Sequence, residues 1–559
     1  ANRLAHLLQR KGIGIGTIVP VLLERSIDSL VGILGIIKAG GAILPIDTVY
    51  PAERIRFILK DCKARLLVTR ASYVEKLDSL LNFVEPDEGN NECPENLGVN
   101  YQADDTLYVI YTSGTTGEPK GTILEHYNLI NLVYHTKLQT SIDLSGNVLQ
   151  FANSSFDVCY QEIFSTMLNG GTLHIIDDDD KKDVPTLIHF IDKNKIRTIF
   201  LPTAFFKLFG SLPAEFKQLA SLVNHIIVAG EKLLISDDVR AILSESSVVL
   251  HNHYGPSETH VITTYPMSGP HYPSVPPIGK PIANSQILIL DRDRSLTPIG
   301  CMGELYVSGD AVGKGYLNRS ELDLQKFTNN PYDPAKRMYR TGDYAKWLPD
   351  GNIEFLGRVD YQLKIRGYRV ELREIESRLF MLDLVRESFV TIKEDRGQTH
   401  IVAYVVLKED AQTTEVQKKL MTYLPEYMVP SLIIPVDKLP FTPNGKVDSK
   451  ALPDPRAFIE SEMVYEAPRD SIEQQLCELW VEILGDQQIG IHDHFFQVGG
   501  QSLKATVLAA RIQQSFQTHF SVKDVFLLPT IAEMGNKIRT ELDELNDILS
   551  IINEVEEII

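Results

Sequence analysis

Between residues 15 and 310, short runs rich in β-branched residues (GTIVPVLLE, ARLLVT, TLYVIYT, GTLHII, RTIFLP, HIIVAG) alternate with longer stretches of helical periodicity. This alternation predicts mainly parallel sheets covered by helices, an α/β core. From Gly303 to Arg358 the runs ELYVSG, YAKWLPDG and IEFLGR are short, separated by glycines and carry the turn pair Asp350-Gly351, which predicts a small antiparallel unit. After Asp360, ELREIESRLF followed by THIVAYVVL predicts a small α+β subdomain reaching residue 452. Pro453 and Pro455 open a linker, 453–469, and SIEQQLCELWVEILG then begins amphipathic helices expected to form an all-α bundle over 470–542. Residues 543–559 read as a tail or the start of an inter-domain linker.

The length, 559 residues, suits roughly three or four folding units. A net charge of -19 argues against nucleic acid and anionic membranes as partners. Cys62, Cys93, Cys159, Cys301 and Cys477 are scattered and lack zinc-site spacing, so reduced thiols in a cytoplasmic protein are expected. The most apolar stretch, Leu30 to Pro45, is broken by Lys38 and by Gly40 and Gly41, too early for a membrane span. The opening ANRLAHLLQRKGIG reads as a helix already under way, with Leu4, Leu7 and Leu8 on one face, and the chain is expected to be truncated at its N-terminus.

Directly after the strand TLYVI comes Tyr111-Thr112-Ser113-Gly114-Thr115-Thr116-Gly117-Glu118-Pro119-Lys120-Gly121. Hydroxyls and exposed backbone N–H groups on a glycine-loosened loop suit phosphate oxygens. No Gly-Lys-Ser/Thr follows at the spacing of a Walker A loop. The segment resembles the phosphate loop of acyl-adenylate-forming enzymes, and further matches follow in that superfamily's order: Asn252-His253-Tyr254-Gly255-Pro256-Ser257-Glu258-Thr259, Tyr339-Arg340-Thr341-Gly342-Asp343, Gly357 to Gly367, and Pro443-Asn444-Gly445-Lys446. Together with the helical bundle, they make the chain similar to the adenylation and peptidyl carrier (thiolation) portion of a nonribosomal peptide synthetase module.

That resemblance implies an adenylation core over 1–359, a mobile C-terminal adenylation subdomain over 360–452 and a carrier domain over 470–542. It implies ATP, magnesium and 4'-phosphopantetheine as cofactors. Nucleotide contacts fall to Thr112, Ser113, Gly114, Thr115, Thr116, Lys120, Asn252, Tyr254, Gly255, Asp343, Phe355 and Arg358. Tyr254 would stack on adenine, Asn252 read its edge, Asp343 accept the ribose hydroxyls and Arg358 lie near ribose and phosphate. Glu258 with Thr116 resembles the family's magnesium pair. Lys446 would bring a cation to the substrate carboxylate, and Asp360 would be the hinge on which the subdomain turns between half-reactions.

A substrate carboxylate would thus attack the α-phosphate of ATP, giving an acyl-adenylate and pyrophosphate. The second step needs a thiol, and Asp493-His494-Phe495-Phe496-Gln497-Val498-Gly499-Gly500-Gln501-Ser502-Leu503 resembles the attachment motif of carrier domains, with Ser502 bearing the phosphopantetheine arm. By itself a serine there would read as a helix N-cap. Asp157 stands where the family binds a substrate ammonium. Val158, Gln161, Phe200, Ile227, Ala229, His253, Val261, Ile262 and Lys446 complete the pocket by the same matching. The set resembles proline-activating domains, with pipecolate or valine as alternatives. Implied partners are L-proline, neighbouring synthetase modules or a condensation domain, and a phosphopantetheinyl transferase. Two other readings stay open: a carboxylic acid–CoA ligase, and a non-catalytic scaffold retaining the fold. Phosphopantetheine on Ser502 would separate the first from the synthetase reading. The acidic run Asp177 to Asp180 is expected to be a solvated loop, and Cys159 to be packing.

Overall fold

The computed structural model describes the backbone outside residues 78–81, 115–116, 179, 359–362, 366–367, 396–397, 410, 442–446, 450, 456–464, 486–488, 497, 499, 501 and 557–559. Side chains are further undescribed at 76, 363–365, 394–395, 398–399, 502–503, 506, 522–523 and 544–556. The chain divides into two compact units, Ala1–Glu374 and Ile375–Ile559.

The first unit holds two seven-stranded sheets and a smaller antiparallel one. In the first sheet the order is Gly315–Tyr316, Lys120–Glu125, Thr106–Thr112, Ala42–Pro45, Ile18–Leu22, Leu66–Thr69 and Asn82–Val84. Its inner pairs are parallel, and Thr106–Thr112 turns back antiparallel onto Lys120–Glu125, so the hydroxyl-rich loop becomes the connection of that pair. The apolar stretch after Leu30 is divided between a helix, Ile27–Ala39, and the strand Ala42–Pro45. Ser26 caps that helix by accepting from Ser29 N, and Gly40, at φ 101°, ends it in the left-handed region that favours glycine. The opening helix, Asn2–Arg10, buries Leu4, Ala5 and Leu8 in the same core as Ile33, Ile36 and Val68.

The second sheet runs Lys280–Pro281, Thr263–Met267, Val249–Tyr254, His225–Ala229, Thr198–Pro202, Asn147–Gln150 and Thr172–Ile175. It too is parallel inside and antiparallel at one edge. The third sheet comprises Ser285–Leu290, Gly303–Gly309, Asp333–Trp347 and Phe327–Asn330, with Ile353–Arg358 paired to Asp333–Trp347. The antiparallel unit therefore starts at Ser285 rather than Gly303. Its first strand, SQILIL, alternates so weakly that it reads like another buried strand of the α/β core.

A short hairpin, Leu363–Ile365 with Tyr368–Val370, belongs to the first unit, although a separate subdomain was expected to begin at residue 360. The physical reason lies in its flank: Arg369 pairs with Glu258, and Glu374 with the buried Arg54. In the acidic run Asp177 and Asp180 are exposed, as expected of a solvated loop, while the partly exposed Asp178 also pairs with Arg25 and Lys181.

In the second unit, Val385–Asp395, Gln398–Leu407 and Leu432–Pro435 form a three-stranded sheet, with the helix Thr413–Tyr423 between its last two strands in sequence. The helices Ser471–Leu484, Ser502–Phe516, Val522–Leu527 and Ile531–Glu556 follow. Trp480 and Phe495 meet edge-on at 4.9 Å in the bundle core, both fully buried. Glu473, buried at the start of the first of these helices, is held by Arg469 and Arg539, and its carboxyl falls to about 2. The last helix continues unbroken across the boundary expected near residue 542.

Candidate active site

The second sheet sets out one wall of the expected substrate pocket. Ile227 lies opposite Phe200 on one neighbouring strand and His251 on the other. Since side chains alternate along a strand, Phe200, Ile227, Ala229 and His253 share one face. The helix Asp157–Leu168 supplies the opposite wall: Val158 packs against Phe200 and Ile227 in an apolar cluster with Ile142, Leu144 and Val148. Asp157 is the first residue of that helix, where the peptide dipoles favour a negative charge, and its Oδ1 accepts from Val158 N at 2.8 Å.

Val261 and Ile262 are buried in a neighbouring cluster, on the connection between Val249–Tyr254 and Thr263–Met267. That connection is drawn tight. A Cβ at Gly255 would lie 1.7 Å from the His260 carbonyl oxygen, so only glycine fits. His260 closes it against the pocket helix, with Nε2 3.0 Å from the Asp157 carbonyl oxygen. Gln161 Nε2 and both ring nitrogens of His253 are buried and have no hydrogen-bond partner among the described residues. Burial drives the His253 imidazolium far below the ordinary histidine range, so the wall is neutral there. Cys159 is buried and its thiol is pushed up to about 12, which suits packing rather than nucleophilic attack.

Next to this pocket, Tyr254, Asp343, Arg358 and Phe355 come together. Asp343 and Arg358 are opposite residues of an antiparallel pair, with Arg358 Nη1 2.7 Å from Asp343 Oδ1, and the Tyr254 hydroxyl donates to Asp343 Oδ2. Each carboxylate oxygen keeps a further acceptor site, which is what two ribose hydroxyls require. The Phe355 ring lies 6.1 Å from that of Tyr254, and Asn252 is fixed by donating to the Pro277 carbonyl at 2.8 Å.

The described part of the phosphate loop meets a buried charge network. Glu258 is fully buried. Arg369 Nη1 lies 2.8 Å from both of its oxygens, Lys120 Nζ lies 3.2 Å away, and the Tyr316 hydroxyl donates at 2.5 Å. Burial alone would raise the Glu258 carboxyl, but Arg369, Lys120 and Tyr316 outweigh it and hold it well below the usual range. The Ser113 hydroxyl donates to the Arg369 carbonyl at 2.6 Å, and Gly114 N–H points to Glu374 Oε2 at 3.4 Å. Thr112 Oγ1 is buried without a partner among the described residues. Thr115, Thr116, Asp360 and Lys446 lie outside the described residues, and of Ser502 the structure describes only that it begins the helix Ser502–Phe516. Arg369, Glu374 and Tyr316 were not anticipated; the first two follow closely on the Gly357-to-Gly367 match, at Arg-Val-Glu-Leu-Arg-Glu.

The carboxylate–guanidinium pair beside Tyr254, the hydroxyl-rich loop and the later helical bundle are what an adenylate-forming enzyme with a carrier domain would need. The chain belongs to the AMP-binding enzymes, whose family model matches residues 1–317. The AMP-binding enzyme C-terminal domain matches 374–446, and a phosphopantetheine attachment site matches 474–538. It is 47% identical over 542 residues to tyrocidine synthase 2 of Brevibacillus parabrevis and 45% identical over 542 residues to gramicidin S synthase 2 of Brevibacillus brevis. Each alignment covers 96% of this chain but only 15% and 12%, respectively, of those proteins. Among solved structures, holo-PA1221, a synthetase protein containing adenylation and PCP domains bound to a vinylsulfonamide inhibitor, superposes with a TM-score of 0.78. That match is 24% identical and covers 97% of this chain and 91% of that one, and it shows the fold. The chain is thus an AMP-binding enzyme followed by a phosphopantetheine attachment domain, and it spans only a small part of the length of the synthases it resembles.

ATP and the phosphopantetheine arm are the cofactors of these domains, and magnesium is typical of the family. As held here, Glu258 does not fit a metal ion, because Arg369 and Lys120 already take its oxygens. Among the described residues no group of three or more His, Cys, Asp or Glu side chains could hold a metal. Among them, too, no helix is long and apolar enough to cross a membrane.

Proposed function

We propose that this chain activates L-proline as prolyl-AMP and passes it to the phosphopantetheine thiol on Ser502 of its own carrier domain. The observation that carries the substrate assignment is the pocket's chemistry. Val158, Phe200 and Ile227 pack together as apolar walls, His253 is neutral, and Asp157 sits at a helix start. A compact ring with a secondary ammonium needs one carboxylate and otherwise apolar contact; a charged side chain would find no partner here. Ile262 in place of valine is a one-methylene change, which such a pocket discriminates modestly.

In the first half-reaction a carboxylate oxygen of proline attacks the α-phosphorus of ATP, the bond to the β-phosphate oxygen breaks and pyrophosphate leaves. Asp157 anchors the ammonium, Lys446 offsets the charge of the attacking carboxylate, and Asp343 and Tyr254 hold the nucleoside in line. In the second, Ser502 would hold the phosphopantetheine arm, which would supply the thiol that accepts the prolyl group as AMP is released. Asp360 serves as the hinge between the two. The natural partners are neighbouring synthetase modules and a phosphopantetheinyl transferase. Five cysteines without a disulfide suit a cytoplasmic setting.

The test is amino-acid-dependent ATP–pyrophosphate exchange across a panel of amino acids. L-Proline is expected to give the strongest exchange, with valine and pipecolate behind it by about 10–200-fold, the span that small apolar differences allow. A profile led by any charged amino acid would contradict the assignment.

A further inference from the structure

Glu162 is fully buried within the helix Asp157–Leu168, five residues on from Asp157. A carboxyl in such a place is costly unless its oxygens are taken. Here Oε1 accepts from Phe151 N at 3.2 Å and from Ala152 N at 3.0 Å, and Oε2 lies 3.1 Å from the same Ala152 N. These two N–H groups follow directly on the strand Asn147–Gln150, at the head of the connection that leads into the helix. The helix therefore grips its own approach.

That grip has a consequence for Asp157, because the helix start lacks an ordinary cap. Phe156 stands at the N-cap and offers no side-chain hydrogen bond, where Ser, Thr, Asp or Asn would normally fix the first turn. The connection 151–156 is tied instead by two buried carboxyls. Asp47, just past the strand Ala42–Pro45 of the first sheet, accepts from Asn153 Nδ2 at 2.7 Å, and Asn153 Oδ1 in turn accepts from Ser155 N at 2.9 Å. Asp47 reaches the connection from another sheet. Glu162 reaches it from the helix that carries Asp157, so it couples the two directly.

We propose that Glu162 is a positioning residue for the substrate ammonium: by binding the Phe151 and Ala152 N–H groups from within the helix, it fixes where the Asp157 carboxylate stands. The inference rests on the reading of Asp157 as the ammonium anchor. A carboxylate displaced from its partner loses most of a directional, charge-assisted contact, whereas apolar walls tolerate the same shift at little cost. Loss of Glu162 should therefore weaken recognition of the amine and spare recognition of the ring and the nucleoside.

The experiment is isothermal titration calorimetry of the full chain with two non-reactive adenylate mimics, prolyl-sulfamoyl-adenosine and its cyclopentanecarbonyl counterpart, which keeps the five-membered ring but has no amine. Wild type is expected to prefer the prolyl compound by about thirtyfold, within the worth of a hydrogen bond to a charged group. Glu162→Gln is expected to bind the prolyl compound about tenfold more weakly and the cyclopentanecarbonyl compound within twofold of wild type. Glu162→Asp, whose carboxyl is one methylene short, should lose about threefold for the prolyl compound alone, and it decides the matter if the glutamine variant fails to fold by circular dichroism. Equal weakening of both compounds, as a purely structural role would give, or no weakening of either, would overturn the proposal. A wild-type chain that does not prefer the amine, or an Asp157→Asn variant that keeps the preference, removes the anchor reading and the proposal with it. A wild-type preference that depends on Asp157 but persists in both Glu162 variants removes the proposal alone.

Discussion

Replacing Lys446 with alanine is expected to lower amino-acid-dependent pyrophosphate exchange by about 10²–10³-fold, with the melting temperature of the chain unchanged. The attacking carboxylate and the triphosphate are both anions, and their approach must be offset by a fixed positive charge. At about 1.4 kcal/mol per tenfold, the expected loss is about 3–4 kcal/mol of transition-state stabilisation. Arginine should restore little of it, because a planar fork does not substitute for a compact ammonium at a single oxygen. Exchange within threefold of wild type would remove Lys446 from the reaction.

Replacing Ser502 with alanine is expected to abolish covalent loading of the amino acid while leaving pyrophosphate exchange within about twofold. The first half-reaction ends at the adenylate and needs no thiol, whereas the second has no acceptor once the attachment hydroxyl is gone. Ser502 begins the helix Ser502–Phe516, a position at which serine also serves as an ordinary cap. A capping role would cost about 1 kcal/mol of stability and leave loading intact, so the two roles give opposite results. Loss of loading and exchange together would show that the two domains do not divide the work in this way.

Most of the fold is legible along the chain because each parallel strand is a contiguous β-branched run. TLYVIYT, RTIFLP and HIIVAG all lie on strands of the two large sheets. SQILIL was missed as the start of the antiparallel sheet because its apolar residues do not alternate cleanly, and the partner strand GELYVSG is what defines it. The pocket residues are named by the family resemblance alone; what the structure adds is that strand parity sets Phe200, Ile227, Ala229 and His253 on one face.

The network around Glu258 was not legible. Its partners Lys120, Tyr316 and Arg369 stand 138, 58 and 111 residues away, on segments that only tertiary folding brings together. A local motif can mark a carboxylate as important but carries no information about which cations reach it. Asp178 teaches the same lesson: four consecutive acids suggest a solvated loop, yet Arg25, from 153 residues earlier, reaches one of them.

Prolyl transfer to the carrier is read by intact-protein mass spectrometry of the chain carrying phosphopantetheine, after incubation with magnesium-ATP and L-proline. A prolyl adduct on the Ser502 arm is expected, released by hydroxylamine as a thioester should be, together with AMP and pyrophosphate and no ADP. Turnover of ATP to ADP, or formation of AMP with no acyl group on the carrier under any amino acid, would contradict it.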